Sequence, residues 1–167
     1  MKKDLSIIGG LFLLIVFLLF FGQGFTSVGF LPKRESTSSA SSSGLTEVSA
    51  NTLNVRATVA SDSKERQRGL SGKDSLPLDE GMLFVFEESG VYPFWMKDMK
   101  FSIDIIWIDE EKRIVQIVDS ALPQSGRDDS ELTIYRPGAS AKYVLEINAG
   151  LSRLHNLQVG SSVNFEL

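Results

Sequence analysis

Two carboxylates stand where a carboxylate is expensive. Asp104 lies in the run Ile103-Asp104-Ile105-Ile106-Trp107-Ile108, and Glu146 lies in Tyr143-Val144-Leu145-Glu146-Ile147. In an extended chain successive side chains point to opposite sides, so both runs read as strands with apolar residues on each face. An acid held there must find a cation, hydrogen-bond donors or a proton, because an unpaired buried charge costs several kcal/mol. Asp104 either pins a loop through hydrogen bonds or forms the floor of a pocket with Lys97 or Lys100 as its partner. As a pair, Asp104 and Glu146 are candidates for acid and base in a hydrolase or lyase, since carboxyl groups in unlike surroundings can divide those roles. Glycoside chemistry would place them about 5 to 9.5 Å apart across an open cleft.

The stretch from Tyr92 to Trp107 holds both tryptophans of the chain and most of its large apolar residues set beside charge. Arg68, Met82, Phe94, Trp95, Met96 and Lys97 are the candidate ligand-binding residues, with Asp104 and Glu146 as acids. For Met82, Trp95 and Met96 the competing reading is ordinary core packing, in which methionine and aromatic side chains are common. Met82, Met96, Met99 and His155 also supply soft donors of the kind copper(I) takes. Met96 and Met99 face opposite sides of a regular strand, so that site needs a bend between them. No metal ligand set and no cofactor is assigned.

Composition removes much other chemistry. The chain has 167 residues, no cysteine and one histidine. Thiolate nucleophiles, disulfides and cysteine zinc sites are therefore excluded, and a histidine-based metal site or a Ser-His-Asp triad has little to draw on. The net charge is −4 with no basic stripe, which argues against nucleic acid as a partner.

Residues 1–4 read as a cytoplasmic N-terminus, 5–25 as a transmembrane anchor or signal peptide, 26–44 as a serine-rich flexible linker, and 45–167 as a soluble β-rich domain. Residues 5–21 carry no charge and nearly cross a hydrocarbon core of roughly 30 Å as a helix. Lys2 and Lys3 precede them, which keeps the N-terminus in the cytoplasm and sends the rest across. The expected location is the cell membrane, single-pass, with the folded domain extracytoplasmic. No small-x-small cleavage site follows the apolar run, which favours an anchor over a cleaved signal.

Within the domain, alternation predicts strands at residues 53–59, 103–108, 113–118 and 143–147, and short apolar runs predict strands at 81–86 and 132–135. Asp62 or Ser63 caps a short helix over 64–68 that Gly69 stops. Asn148 is expected to cap a second over 149–157, and Val163 and Phe165 to form a last strand. The fold class is mostly β (α+β): a small antiparallel sandwich or barrel with two short helices, preceded by one transmembrane helix.

Five blocks in order, Arg68-Gly69-Leu70-Ser71-Gly72-Lys73, Gly81-Met82-Leu83-Phe84-Val85-Phe86, Phe94-Trp95-Met96-Lys97, Ile103-Asp104-Ile105 and the run from Val144 to Gly150, resemble the signature of the domain of unknown function 192 family. The resemblance implies a compact β-rich domain, often behind an N-terminal signal or anchor, with no established activity. Lys73 stands where such proteins commonly carry arginine, which matters only where a bidentate fork is needed. The functional expectation is a membrane-tethered module that binds a small molecule or an envelope protein.

Overall fold

The computed structural model describes residues 44–167. The N-terminus, the anchor and residues 26–43 of the linker lie outside the described residues. Six strands form one sheet: β1 (Leu45–Ala50), β2 (Leu53–Ala60), β3 (Glu80–Gly90), β4 (Ile103–Ile108), β5 (Ile114–Ala121) and β6 (Ala141–Asn148). The spatial order is β1-β2-β3-β6-β4-β5. The neighbours pair antiparallel except β2 and β3, which run parallel. The sheet is thus mixed rather than antiparallel, and it is neither a sandwich nor a closed barrel. The parallel pairing needs a crossover, which α1 (Ser63–Arg68) and the loop after it supply.

One feature of the sheet explains why β4 is apolar on both sides. All six of its residues are buried, because the sheet carries a core on each face. One core gathers Val55, Ala57, Leu83, Ile106, Ile108, Leu145 and Ile147 under Leu151, Leu157, Val163 and Phe165. The other gathers Ala60, Met82, Phe84, Ile103, Ile105, Trp107 and Val144 under Leu70, Leu76, Met96 and Met99. Two opposed layers are what an apolar, two-faced interior strand requires.

The C-terminal segment ties the two sheet edges together at one end. Asn164 exchanges backbone hydrogen bonds with Ser49 of β1 (2.8 and 2.9 Å), while Val163 donates to Lys112 O (2.9 Å) and Ile114 of β5 to Ser161 O (2.9 Å). The expected last strand is therefore present only as isolated bridges. β1 and the continuation of β3 through residues 87–90 add strand beyond what alternation predicts. Residues 132–135 are not a strand: Tyr135 makes one bridge to Phe94, and Thr133 N donates to the Gln124 side chain (2.9 Å).

Both short helices form, with different caps from one another. Asp62 caps α1 through Glu65 N (2.7 Å), and the Glu65 carboxylate accepts from Asp62 N (3.3 Å), a reciprocal capping box. Gly69 closes the helix at φ 51°, ψ −137°, backbone that favours glycine. The second helix, α2, spans Leu151–Leu154 and is shorter than expected. Its N-cap is Gly150, not Asn148. The Asn148 amide instead donates to Leu76 O (2.9 Å) and Pro77 O (3.0 Å), fixing the loop before β3.

Candidate functional site

The register of β4 against β6 decides the fate of the two acids. Ile105 stands opposite Glu146, and Asp104 opposite Ile147. Residues directly opposite share a face, so Asp104 and Glu146 leave the sheet on opposite sides. The shared acid–base cleft expected from the sequence is not formed, and a mechanism that divides the roles between these two carboxylates has no geometry to use.

Asp104 is a structural staple. It is fully buried. Its Oδ1 accepts from Ser120 N (2.8 Å) and Gly150 N (2.9 Å), and its Oδ2 accepts from Ser152 N (2.8 Å). Ser120 sits at φ 57°, where the β4–β5 register shifts. Gly150 and Ser152 open α2. One carboxylate thus fixes an irregular strand and supplies a helix start whose own N-cap has no side chain. Neither lysine expected near it is its partner: Lys97 pairs with Asp129 (2.5 Å) and Lys100 with Asp74 (2.6 Å).

Glu146 has the opposite surroundings. Met82 of β3 and Ile105 of β4 flank it in the sheet. It is 5 % exposed, and its Oε2 has no hydrogen-bond partner among the described residues. Burial, with no compensating cation, pushes its carboxyl up to about 8. At neutral pH the group is mostly a neutral acid.

A cleft of about 310 Å³ opens above it, at the small end of the range of ligand pockets. Its walls come from α1 and the turn after it (Arg66, Gln67, Arg68, Gly69, Leu70, Ser71), from Phe84 and Phe86 of β3, and from Tyr92, Pro93, Phe94, Trp95 and Met99. The 92–99 segment is held from two sides. Phe94 and Tyr135 exchange backbone hydrogen bonds (2.9 Å each), and Ser71 Oγ donates to Lys97 O (2.9 Å). From below, Trp107 Nε1 donates to Tyr92 O (3.0 Å).

The aromatic wall is packed edge to face. Phe94 meets Phe84 with ring centroids 4.9 Å apart and Trp107 at 5.8 Å, both near perpendicular. Phe86 and Tyr92 stack at 3.6 Å, and the Arg66 guanidinium lies 5.1 Å from the Phe86 ring centre on a cation–π contact. Arg66 is otherwise occupied by the carbonyls of Ser61 and Val85. Arg68 is exposed and forms no ion pair or side-chain hydrogen bond among the described residues.

A second hollow of about 470 Å³ adjoins the first. It shares Gln67, Arg68, Ser71 and Trp95 with it and adds Lys97, Asp98, Asp129, Leu132 and Ile134. The six expected ligand-binding residues therefore separate. Arg68, Phe94 and Trp95 line the cleft with Glu146, and Lys97 lines the adjoining hollow. Met82 and Met96 are buried core residues that line neither. Tyr92 and Phe86 belong to the wall and were missed, because an aromatic in a polar turn or at a strand end has no periodic signature.

The copper(I) set does not assemble. Met82, Met96 and Met99 are buried together in one core, while the His155 ring nitrogen Nδ1 meets Thr52 Oγ1 (2.9 Å) at the β1–β2 turn, next to the other core. Among the described residues no group of three or more histidine, cysteine or acidic side chains stands as a metal site.

A single mixed sheet with a core on each face and one acid-floored aromatic cleft defines a compact β-rich domain with a small-molecule-sized opening. The profile of the domain of unknown function 192 family, described as an uncharacterized ACR, matches residues 46–165. The chain belongs to that family. A Novosphingobium aromaticivorans protein of unknown function is similar in structure, with 26% identity, a TM-score of 0.63, and coverage of 72% of this chain and 83% of that one. A Sinorhizobium meliloti protein named as a proposed transcription regulator is similar at 25% identity and TM-score 0.64, over 72% of this chain and 92% of its own. No curated protein matches.

Proposed function

We propose that this protein is a binding module for a small, largely apolar molecule that seats one polar group on Glu146. The observation that carries the reading is the Glu146 Oε2, without a partner among the described residues, in a cleft walled by five aromatic side chains and by the polar α1 turn. Leaving a buried polar atom unpaired costs about 1–3 kcal/mol, a penalty that a ligand group reaching that oxygen would relieve. The neighbouring Phe84, Phe94 and Trp95 supply apolar contact area, and Arg68 at the mouth supplies an unspent donor.

The tether is part of the same reading. Residues 5–25 hold the chain in the cell membrane, residues 26–44 give it reach, and the binding domain stands on the extracytoplasmic side. Among the described residues no helix is long and apolar enough to cross a membrane, so the tether rests on the N-terminal segment alone. The net charge of −4 gives no support for nucleic acid binding here.

Ligand-observed NMR screening of an apolar fragment library tests the binding. Hits whose signals broaden with the wild-type chain and not with Glu146→Leu support it. A library with no hit sensitive to Glu146 would end this reading. Protease accessibility of the folded domain in intact and opened cells tests the tether, and digestion only after opening would place the domain inside.

A further inference from the structure

We infer that the ligand carries a protonated amine, and that its ammonium sits on the Glu146 carboxylate beneath the aromatic rings. This rests on the cleft reading above and adds the chemical class of the group received. Among the residues lining the cleft Glu146 is the one carboxyl, and Phe84, Phe86, Tyr92, Phe94 and Trp95 line the cleft with it. A ring face carries negative quadrupole potential, so an aromatic lining beside a single acid favours a cation that meets a ring face. The Phe86 face already receives a cation, the Arg66 guanidinium. A neutral acceptor would gain one hydrogen bond from Glu146, whereas an ammonium gains a charge-assisted bond.

The other ionisable groups are few. From β3 and β4 the residues opposite Glu146 are Met82 and Ile105, which carry no charge. The remaining ionisable groups of the cleft are Arg66, Arg68 and Tyr92. Arg66 is held by two carbonyls, and Arg68 is exposed, where water and salt screen its repulsion.

Binding then moves one proton. The neutral acid gives its proton to solvent as the ammonium arrives, and the carboxylate and ammonium remain as an ion pair. Since burial holds the empty site's carboxyl near about 8, the apparent affinity for an amine rises roughly tenfold between pH 7 and pH 9, where an alkylamine is still charged.

The test is calorimetric titration of the full chain in mild detergent with 2-phenylethylamine, 2-phenylethanol and phenylacetate, subtracting detergent blanks. The expected result is amine binding at least tenfold tighter than alcohol binding, proton release seen by comparing buffers of different ionisation enthalpy, and loss of the amine preference in Glu146→Gln. Equal or tighter binding of the alcohol, still weakened by Glu146→Leu, overturns the amine and leaves the cleft reading standing. Binding of none of the three in a manner sensitive to Glu146 overturns both for ligands of this size. Thermal unfolding of each variant without ligand confirms that lost binding is not lost folding.

Discussion

Replacing Glu146 with glutamine keeps the length and shape of the side chain and removes its ionisable proton. In the unfolded chain the carboxyl titrates near 4.5, and in the folded protein burial raises it to about 8. Between those values the folded state holds a proton that the unfolded state has lost, so stability falls as pH rises across that interval and levels off above it. At about 1.36 kcal/mol per pH unit the wild type loses on the order of 5 kcal/mol between pH 4.5 and pH 8 from this one group. Glutamine has no such loss. The difference between the two unfolding free energies, measured by denaturant titration from pH 5 to pH 9 with tryptophan fluorescence, cancels every other titrating group. The two proteins are expected to be within about 1 kcal/mol of each other at pH 5, with the variant several kcal/mol more stable at pH 9. Parallel stability curves for wild type and variant would refute the reasoning, because they would mean that Glu146 is solvated or paired.

Three further outcomes follow from the same geometry. Asp104→Asn keeps shape but turns one acceptor oxygen into an NH2 donor, so at least one of the three bonds from backbone N–H groups is lost and the others lose their charge assistance. It is expected to destabilise the domain by about 2–4 kcal/mol while leaving fragment binding at the cleft unchanged, checked by denaturation beside ligand NMR. Gly81→Ala places a Cβ 2.9 Å from Glu146 O and 3.2 Å from Ile147 Cγ2. It should cost about 1–3 kcal/mol by calorimetry and shift the Glu146 amide signal, since the β3–β6 pairing must give. Truncation after Ser161 removes buried Val163 and Phe165 and the hydrogen bonds that tie β1 to β5. Hydrogen exchange is expected to accelerate first in β1, the edge strand that loses its partner.

Much of the sheet was legible because period-two alternation and short apolar runs survive in β2, β4, β5 and β6. Both acids were legible for the same reason, as charged residues in runs that water does not reach. Their separation was not. A register shift of one residue in β6 would put Glu146 on the Asp104 face, and nothing local to either strand fixes that register. The parallel β2–β3 pairing was illegible because it depends on how α1 and its loop carry the chain over the sheet. β1 was hidden because Leu45-Thr46-Glu47-Val48-Ser49-Ala50 is an edge strand with a weak apolar pattern, adjoining the serine-rich run. Residues 132–135 misled in the other direction: their apolar and β-branched types suit a strand, but the Gln124 side chain takes the Thr133 amide, and Phe94 alone bridges Tyr135.

The site was half legible. Phe94, Trp95, Arg68 and Glu146 converge because α1, the 92–99 segment and β6 meet over one face of the sheet, a matter of topology. Met82 and Met96 instead fill the core beneath, as their apolar neighbours require.

The most direct test is a ¹³C NMR titration of the Glu146 side-chain carboxyl in the unliganded protein. A midpoint near 8, far above the ordinary glutamate value, is the predicted result, and it identifies a buried acid with no partner at the base of the cleft. A midpoint close to 4.5 would contradict the account, since a carboxyl that ionises so readily is already satisfied and has no need of a ligand.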